Sequence, residues 1–157
     1  MGERYLHTTL LGTTLVLPGP TGERNELSFA PRGQVLCEAL RVDVLLNQLI
    51  AVLATGNIPV VSARNERLIP SGLPVSIRKL IRVVDNIDTA ALDFALAEGG
   101  SLNQLRQILA RREGAIVNII ECQPEHAIPL WRLLAERALC VNTTAAGGNA
   151  SLMTLGA

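Results

Sequence analysis

Short apolar runs alternate with helical stretches along most of this chain, and that alternation limits the folds open to it. Residues 58–61, 81–84, 92–97 and 115–120 are brief and mostly apolar. They are too short for helices and read as strands buried on both faces. Between them the period changes. Val42, Leu45, Leu46, Leu49, Ile50 and Leu53 fall at i, i+3, i+4, i+7, i+8 and i+11, one apolar helix face. Gly56-Asn57 follows as a C-cap. A short helix over 75–80 follows the Pro70-Ser71-Gly72-Leu73-Pro74 loop, and the second of the runs ends at Asp85. Ser101 opens a further helix with Gln104 three residues on, a capping-box arrangement. Leu102, Leu105, Ile108 and Leu109 form its inner face, and Gly114 stops it. A helix over 128–135 carrying Trp131 and a last strand over 138–142 complete the series. Strands alternating with helices imply βαβ units and right-handed crossovers. The class is α/β, a Rossmann-like, mainly parallel sheet with flanking helices.

The two ends are of different character. Residues 5–17 are rich in Thr and Leu and favour strand. Pro18-Gly19-Pro20-Thr21-Gly22 then breaks the chain, and 27–30 and 34–37 read as further short strands. Residues 1–40 thus form an N-terminal β arm and connection, ahead of a Rossmann-like domain over 41–141. The final segment, 142–157, is almost uncharged and rich in Gly, Ala and Thr. It lacks the charge of a solvated disordered end and is too small-sided to build a core of its own. It reads as a segment that lies against another surface.

Composition narrows the function. With 157 residues one domain is expected, and its core must be aliphatic because aromatics make up only 3%. Formal net charge is zero, which gives no basic footprint for nucleic acid. No apolar run approaches the roughly 20 residues of a membrane span. The Met1-Gly2-Glu3-Arg4 start has no signal-peptide pattern and reads as the beginning of a piece of something longer. Cys37, Cys122 and Cys140 are widely spaced in apolar surroundings, as buried reduced thiols of a cytoplasmic protein are. His7 and His126 are isolated, so no metal site is expected.

Gly99-Gly100-Ser101 stands at a strand-to-helix turn, where a Rossmann sheet holds phosphate on a helix N-terminus. The third glycine of the fingerprint is missing, and a simple tight turn is the commoner use of such a sequence. Asp85, at a strand end, is placed for a ribose hydroxyl, although a turn aspartate is the ordinary role. Cys37 has no base or helix N-terminus to lower its pKa, which favours inert packing over nucleophilic use. Glu121, Glu125 and His126 follow a strand end, but nothing converges on them. Gly147 and Gly148 allow a backbone to approach a ligand or another chain closely.

Two stretches carry a resemblance. Leu17-Pro18-Gly19-Pro20-Thr21-Gly22-Glu23-Arg24-Asn25 and the tail from Asn142 to Gly156 resemble the C-terminal region of the proline utilization A family of bifunctional flavoenzymes. The resemblance runs over essentially the whole chain and is weakest in the middle. A fainter one is to the dinucleotide-binding half of the aldehyde dehydrogenase superfamily. It is carried by Val52-Leu53-Ala54-Thr55-Gly56-Asn57, by the 92–101 strand and turn, by 114–120 and by Val141-Asn142-Thr143. The departures from that superfamily are many. Ser62 stands where it has a cofactor-binding lysine, and its second turn glycine has no counterpart in 102–106. The Glu-Leu-Gly-Gly motif and the Gly-Gln-x-Cys nucleophile motif are missing; Gly33-Gln34-Val35-Leu36-Cys37 has the wrong spacing. The stretch from 120 to 138 is far too short for a catalytic domain.

The resemblance therefore implies a truncated aldehyde dehydrogenase-like domain without catalytic residues. In the parent enzymes proline is oxidised with FAD in a barrel domain, and glutamate semialdehyde is then oxidised to glutamate with NAD in an aldehyde dehydrogenase domain. This domain would bind neither cofactor. It would pack on the dehydrogenase domain of the same or a partner chain, in a homo-oligomeric cytoplasmic parent, and help seal the channelling cavity. Asn142, Thr143, Thr144, Gly147, Gly148, Asn149, Ser151, Leu152 and Met153 would make the contact. Two other readings compete: a stand-alone NAD-binding domain using Gly99, Gly100, Ser101 and Asp85, and an oligomerisation module that exchanges the N-terminal arm.

Overall fold

A five-stranded parallel sheet carries the molecule, and a separate three-stranded antiparallel sheet extends from it. The computed structural model describes residues 2–142. The chain begins with helix α1 (Gly2–Thr8), strand β1 (Thr14–Leu17) and strand β2 (Glu23–Pro31). It continues through β3 (Gln34–Glu38), α2 (Val42–Ala54), β4 (Ile58–Ser62), α3 (Val75–Arg78) and β5 (Arg82–Val84). Then come β6 (Phe94–Glu98), α4 (Leu102–Ala110), β7 (Asn118–Cys122) and β8 (Leu134–Asn142). The parallel sheet has the order β5-β4-β3-β6-β7, and the antiparallel one β1-β2-β8.

The period-2 geometry of the strands explains the layers. Val35, Cys37, Val61, Phe94, Leu96, Ile120 and Cys122 point to one side of the parallel sheet, into a core with α2 and Tyr5. Leu36, Val60, Ala95 and Ala97 point to the other, against Leu102, Leu105 and Leu109 of α4. Both faces are covered, as a parallel sheet requires. The buried face of α2 is shifted from its predicted stripe, of which only Leu45 and Leu49 are fully buried. Val44, Leu45, Gln48, Leu49, Ala51 and Val52 are nearly inaccessible, whereas Val42 is 47% exposed. The reason is that α1 also packs on the helix, with Tyr5 in the shared core. Gly56 ends α2 at φ +70°, and Asn57 N–H returns to Val52 O at 3.0 Å.

Several expectations need correction. The 5–17 stretch is a helix over its first part, because Tyr5 is driven into the core (2% exposed) and its hydroxyl accepts from Ile128 N–H at 2.8 Å. Residues 34–37 do not belong to an arm. As β3 they form the middle strand of the parallel sheet, paired with β4 and β6. The 81–84 run is an edge strand with mostly exposed residues, not a buried one. The 115–120 run is shifted, with the strand at Asn118–Cys122. The helix predicted over 128–135 is only a 3-10 turn, Leu130–Leu133, and Trp131 is 64% exposed. Here Leu133 O is taken by Asn57 Nδ2 at 2.9 Å, and Leu134 starts a strand. The 138–142 segment joins the antiparallel sheet, pairing with β2 from Glu23↔Asn142 to Pro31↔Leu134. The capping box is absent too. Ser101 Oγ donates backwards to Glu98 O at 2.9 Å, and Ser101 lies in a 3-10 turn.

One buried side chain ties these parts together. Asn57 Oδ1 accepts from Gly33 N–H at 2.8 Å, at the entrance to β3. Its Nδ2 donates to Thr55 Oγ1 at 2.8 Å and to Leu133 O at 2.9 Å. Replacing Asn57 by alanine leaves two backbone groups unpaired in the interior. We expect Asn57→Ala to destabilise the fold by about 2–4 kcal/mol. Urea denaturation followed by circular dichroism checks this, and an unchanged midpoint would contradict the assignment.

Candidate functional site

In an open parallel sheet the ligand crevice lies beyond the carboxyl ends of the strands, where the strand order reverses. In this sheet that place is between β3 and β6, since the chain runs from β3 to β4 and β5 and then crosses back to β6. Each of these two strands ends in a glutamate, Glu38 on β3 and Glu98 on β6. The Glu98 carboxylate turns into the crevice. Its Oε2 accepts from the successive backbone N–H groups of Leu40, at 2.6 Å, and Arg41, at 3.2 Å. These are the groups that lead into α2, and Arg41 is its N-cap. Converging N–H groups at a helix start form an anion site, and a carboxylate of the chain itself fills it.

Glu38 is buried to 1% exposure of its side chain. Its Oε2 accepts from Arg64 Nη2 at 2.6 Å, Arg64 Nε at 3.1 Å and Asn65 Nδ2 at 3.1 Å. Such a buried charge is tolerable only when paired and hydrogen-bonded. Its other oxygen, Oε1, has no partner among the described residues. Ser62 ends β4, where the dehydrogenase resemblance expects a lysine. It is buried, and its Oγ also lacks a partner among the described residues. A cavity of about 190 Å³ is lined by Glu38, Ala39, Leu40, Arg64, Asn65, Arg67, Gly100, Ser101 and Gln104.

Gly100 and Ser101 are therefore in the crevice. Gly100 meets Leu40 closely; a Cβ there would lie 2.6 Å from Leu40 Cδ1. Gly99 faces Glu121 instead, its Cβ position 2.9 Å from Glu121 Oε1. Asp85 is exposed just after β5 and lines a neighbouring cavity of about 210 Å³ with Ser62, Asn86 and Asp88. Among the described residues only Arg64 borders both cavities. The structure thus gathers Gly100 and Ser101 and leaves Asp85 apart. Asn142 ends β8 opposite Glu23. Thr143, Thr144, Gly147, Gly148, Asn149, Ser151, Leu152 and Met153 lie outside the described residues. Among the described residues no group of three or more His, Cys, Asp or Glu side chains is placed to hold a metal ion.

Two cysteines are as buried as expected and the third is not. Burial pushes the Cys37 thiol well above its ordinary pKa, with the nearby Cys122 and Glu38 adding to the rise. Cys122 is pushed up to about 11, again mainly by burial. Cys140 is exposed, because β8 belongs to the outlying sheet rather than to the core.

This is an aldehyde dehydrogenase-like α/β fold, a parallel sheet with an antiparallel flap. Solved structures share it: a proline utilization A with proline bound in remote sites aligns with 76% of this chain and 15% of its own at TM-score 0.57 and 24% identity. A substrate-bound Staphylococcus aureus AldH aligns with 75% of this chain and 29% of its own, at TM-score 0.52 and 16% identity. No family model matches. The bifunctional protein PutA of Escherichia coli (strain K12) is 42% identical over 98% of this chain and 12% of that protein. That of Rhizobium meliloti is 34% identical over 95% of this chain and 13% of that protein. The chain belongs to the PutA family as a segment, and it spans only about an eighth of the length of these relatives. No described helix is long and apolar enough to cross a membrane.

A thiol titration checks the cysteine environments. One cysteine, Cys140, is expected to react with a thiol reagent in the native protein at pH 8, and all three after denaturation. The raised pKa values mean that the folded state keeps its buried thiols protonated. That contribution to stability is complete below the unfolded value of 9.0 and lost as pH rises through about 11 for Cys122. Rapid native labelling of all three would contradict the burial.

Proposed function

We propose that this chain is a non-catalytic, C-terminal domain of a bifunctional proline-catabolic enzyme. It packs on the aldehyde dehydrogenase domain and helps to close the cavity through which the intermediate passes. The observation that carries the reading is the Glu98 carboxylate seated on the N–H groups of Leu40 and Arg41. A dinucleotide sets its pyrophosphate in that crevice, at the start of the helix that follows the first strand of the sheet. Here the place holds a fixed negative charge, a second carboxylate lies close by in Glu38, and Ser62 offers no cation. A pyrophosphate arriving there finds those N–H donors already taken by the Glu98 carboxylate. FAD and NAD belong, on this reading, to other domains of the parent.

The outlying sheet supports the packing role. Cross-strand register places Leu15, Leu27 and Ala138 in one row and Leu17, Asn25 and Cys140 in the next, on the same face. Val16, Leu139 and Val141 lie on the opposite face and are 72%, 54% and 40% exposed. A sheet with apolar residues exposed on both faces is unusual in a free-standing protein and suits a contact with another surface. The tail over 142–157 would supply the cover: small residues for close approach, and Leu152, Met153 and Leu155 as apolar anchors. The same exposed sheet favours the oligomerisation reading, in which a second copy is the partner.

Two measurements test the proposal. Calorimetric titration of the chain with NAD is expected to show no binding, and a sub-millimolar dissociation constant refutes the non-catalytic reading. In the full-length enzyme, deletion of residues 143–157 is expected to lengthen the lag before NADH forms from proline. A lag and dehydrogenase activity that both stay unchanged count against the covering role. Light scattering of this chain with and without residues 1–33 separates a pure oligomerisation module from a cover.

A further inference from the structure

We propose that the cavity between the last turn of α4 and the start of β7 binds an aliphatic carboxylate. Arg106 and Arg112 take the carboxylate, and Leu109, Ile116, Val117 and Ile119 lie along the chain. The cavity, of about 500 Å³, sits at the amino ends of the parallel strands, the opposite edge of the sheet from the crevice. Its size falls within the roughly 300–1,000 Å³ of small-molecule sites. The described residues that line it include these two arginines and no acidic side chain.

The charge of the ligand follows from the two guanidiniums. Arg106 is exposed on α4, and its side chain has no hydrogen-bond or ion-pair partner among the described residues. Arg112 is half-buried and donates to Ile87 O and Ala90 O. Carbonyls occupy two of its five donors without neutralising it. Arg111 and Glu113, on either side of Arg112 in sequence, are both exposed and offset each other. Asp88, next to Ile87, lines the separate cavity of about 210 Å³. Set wholly against Arg112, it still leaves the charge of Arg106. One carboxylate matches that charge, and a guanidinium presents its N–H groups in the planar geometry that a carboxylate accepts. A phosphate monoester, at about −1.5 to −2, brings more charge than this. The body of the ligand follows from the walls. Leu109 and Val117 are buried and form an apolar floor, with Ile119 half-buried beside them. Ile116 on the rim is 88% exposed, more than any other large hydrophobic side chain among the described residues. An aliphatic chain lying on that floor covers Ile116, whereas a two-carbon acid reaches the arginines and leaves it in water.

The inference does not depend on the proposed packing role, and NAD binding tests a different property. Titration of the ¹⁵N-labelled chain with octanoate, followed by NMR, decides it. The expected result is a saturable shift of the Gly114, Ala115 and Ile116 amides in the millimolar range or below. Acetate, which lacks the chain, and 1-octanol, which lacks the charge, should each bind about tenfold more weakly. Arg106→Gln should weaken octanoate by about tenfold, and Ile116→Ser by about fivefold. Both are surface positions, so these variants keep the fold even if Arg112→Gln, which loses its hold on Ile87 and Ala90, does not. Absence of saturation by octanoate overturns the proposal. So does acetate or 1-octanol binding as tightly as octanoate, or an octanoate affinity that Arg106→Gln leaves intact.

Discussion

The side-chain amide of Asn57 is the joint on which the architecture rests. It sits at the turn from α2 to β4 and holds the entrance of β3 through Gly33 N–H and the base of β8 through Leu133 O. Residues far apart in sequence are brought to one buried point. An amide suits this task because it offers an acceptor and two donors in one plane. With it satisfied, the middle strand of the parallel sheet and the edge strand of the antiparallel sheet have a fixed relation. A charged side chain at this position leaves at least one of those backbone groups without a partner, and a purely apolar one leaves both.

A parallel sheet creates an electrostatic demand at the carboxyl ends of its strands, where helix starts and loop N–H groups converge. Nucleotide-binding proteins meet that demand with a ligand. Here Glu98 meets it from within, and Glu38 is balanced by Arg64 and Asn65 a few residues along the next strand's exit. The Leu40 and Arg41 N–H groups are satisfied within the chain, whereas the outlying sheet leaves Val16, Leu139 and Val141 exposed.

What was legible in the sequence follows physical lines. Helices α2 and α4 and strands β4 and β6 announce themselves through local apolar periodicity, because their burial is decided by the sheet they cross or join. Helix α1, the turn at Leu130–Leu133 and the membership of β8 were not legible. Each is decided by a partner distant in the chain: Ile128 for Tyr5, Asn57 for Leu133 and β2 for β8. At the site, Gly100 and Ser101 were visible as a glycine turn, whereas Glu38 and Glu98 were overlooked. The available signal was an acidic residue closing an otherwise apolar strand, in Cys37-Glu38 and Ala97-Glu98. A charge placed there is either paired indoors or aimed at a ligand. The exposure of Cys140 was missed for the same reason as β8, since apolar neighbours in sequence do not reveal which sheet they join.

The pairing of β2 with β8 has a consequence for biogenesis. These strands lie more than a hundred residues apart, with the whole parallel sheet formed between them. Loop closure over that distance is slow, and a chain emerging from a ribosome must wait for it. During synthesis β1 and β2 can form only a two-stranded ribbon, which is marginal by itself in water. The flap is thus completed last, after the parallel sheet has supplied a platform, and until then its apolar rows are open to capture by a chaperone or by another nascent chain.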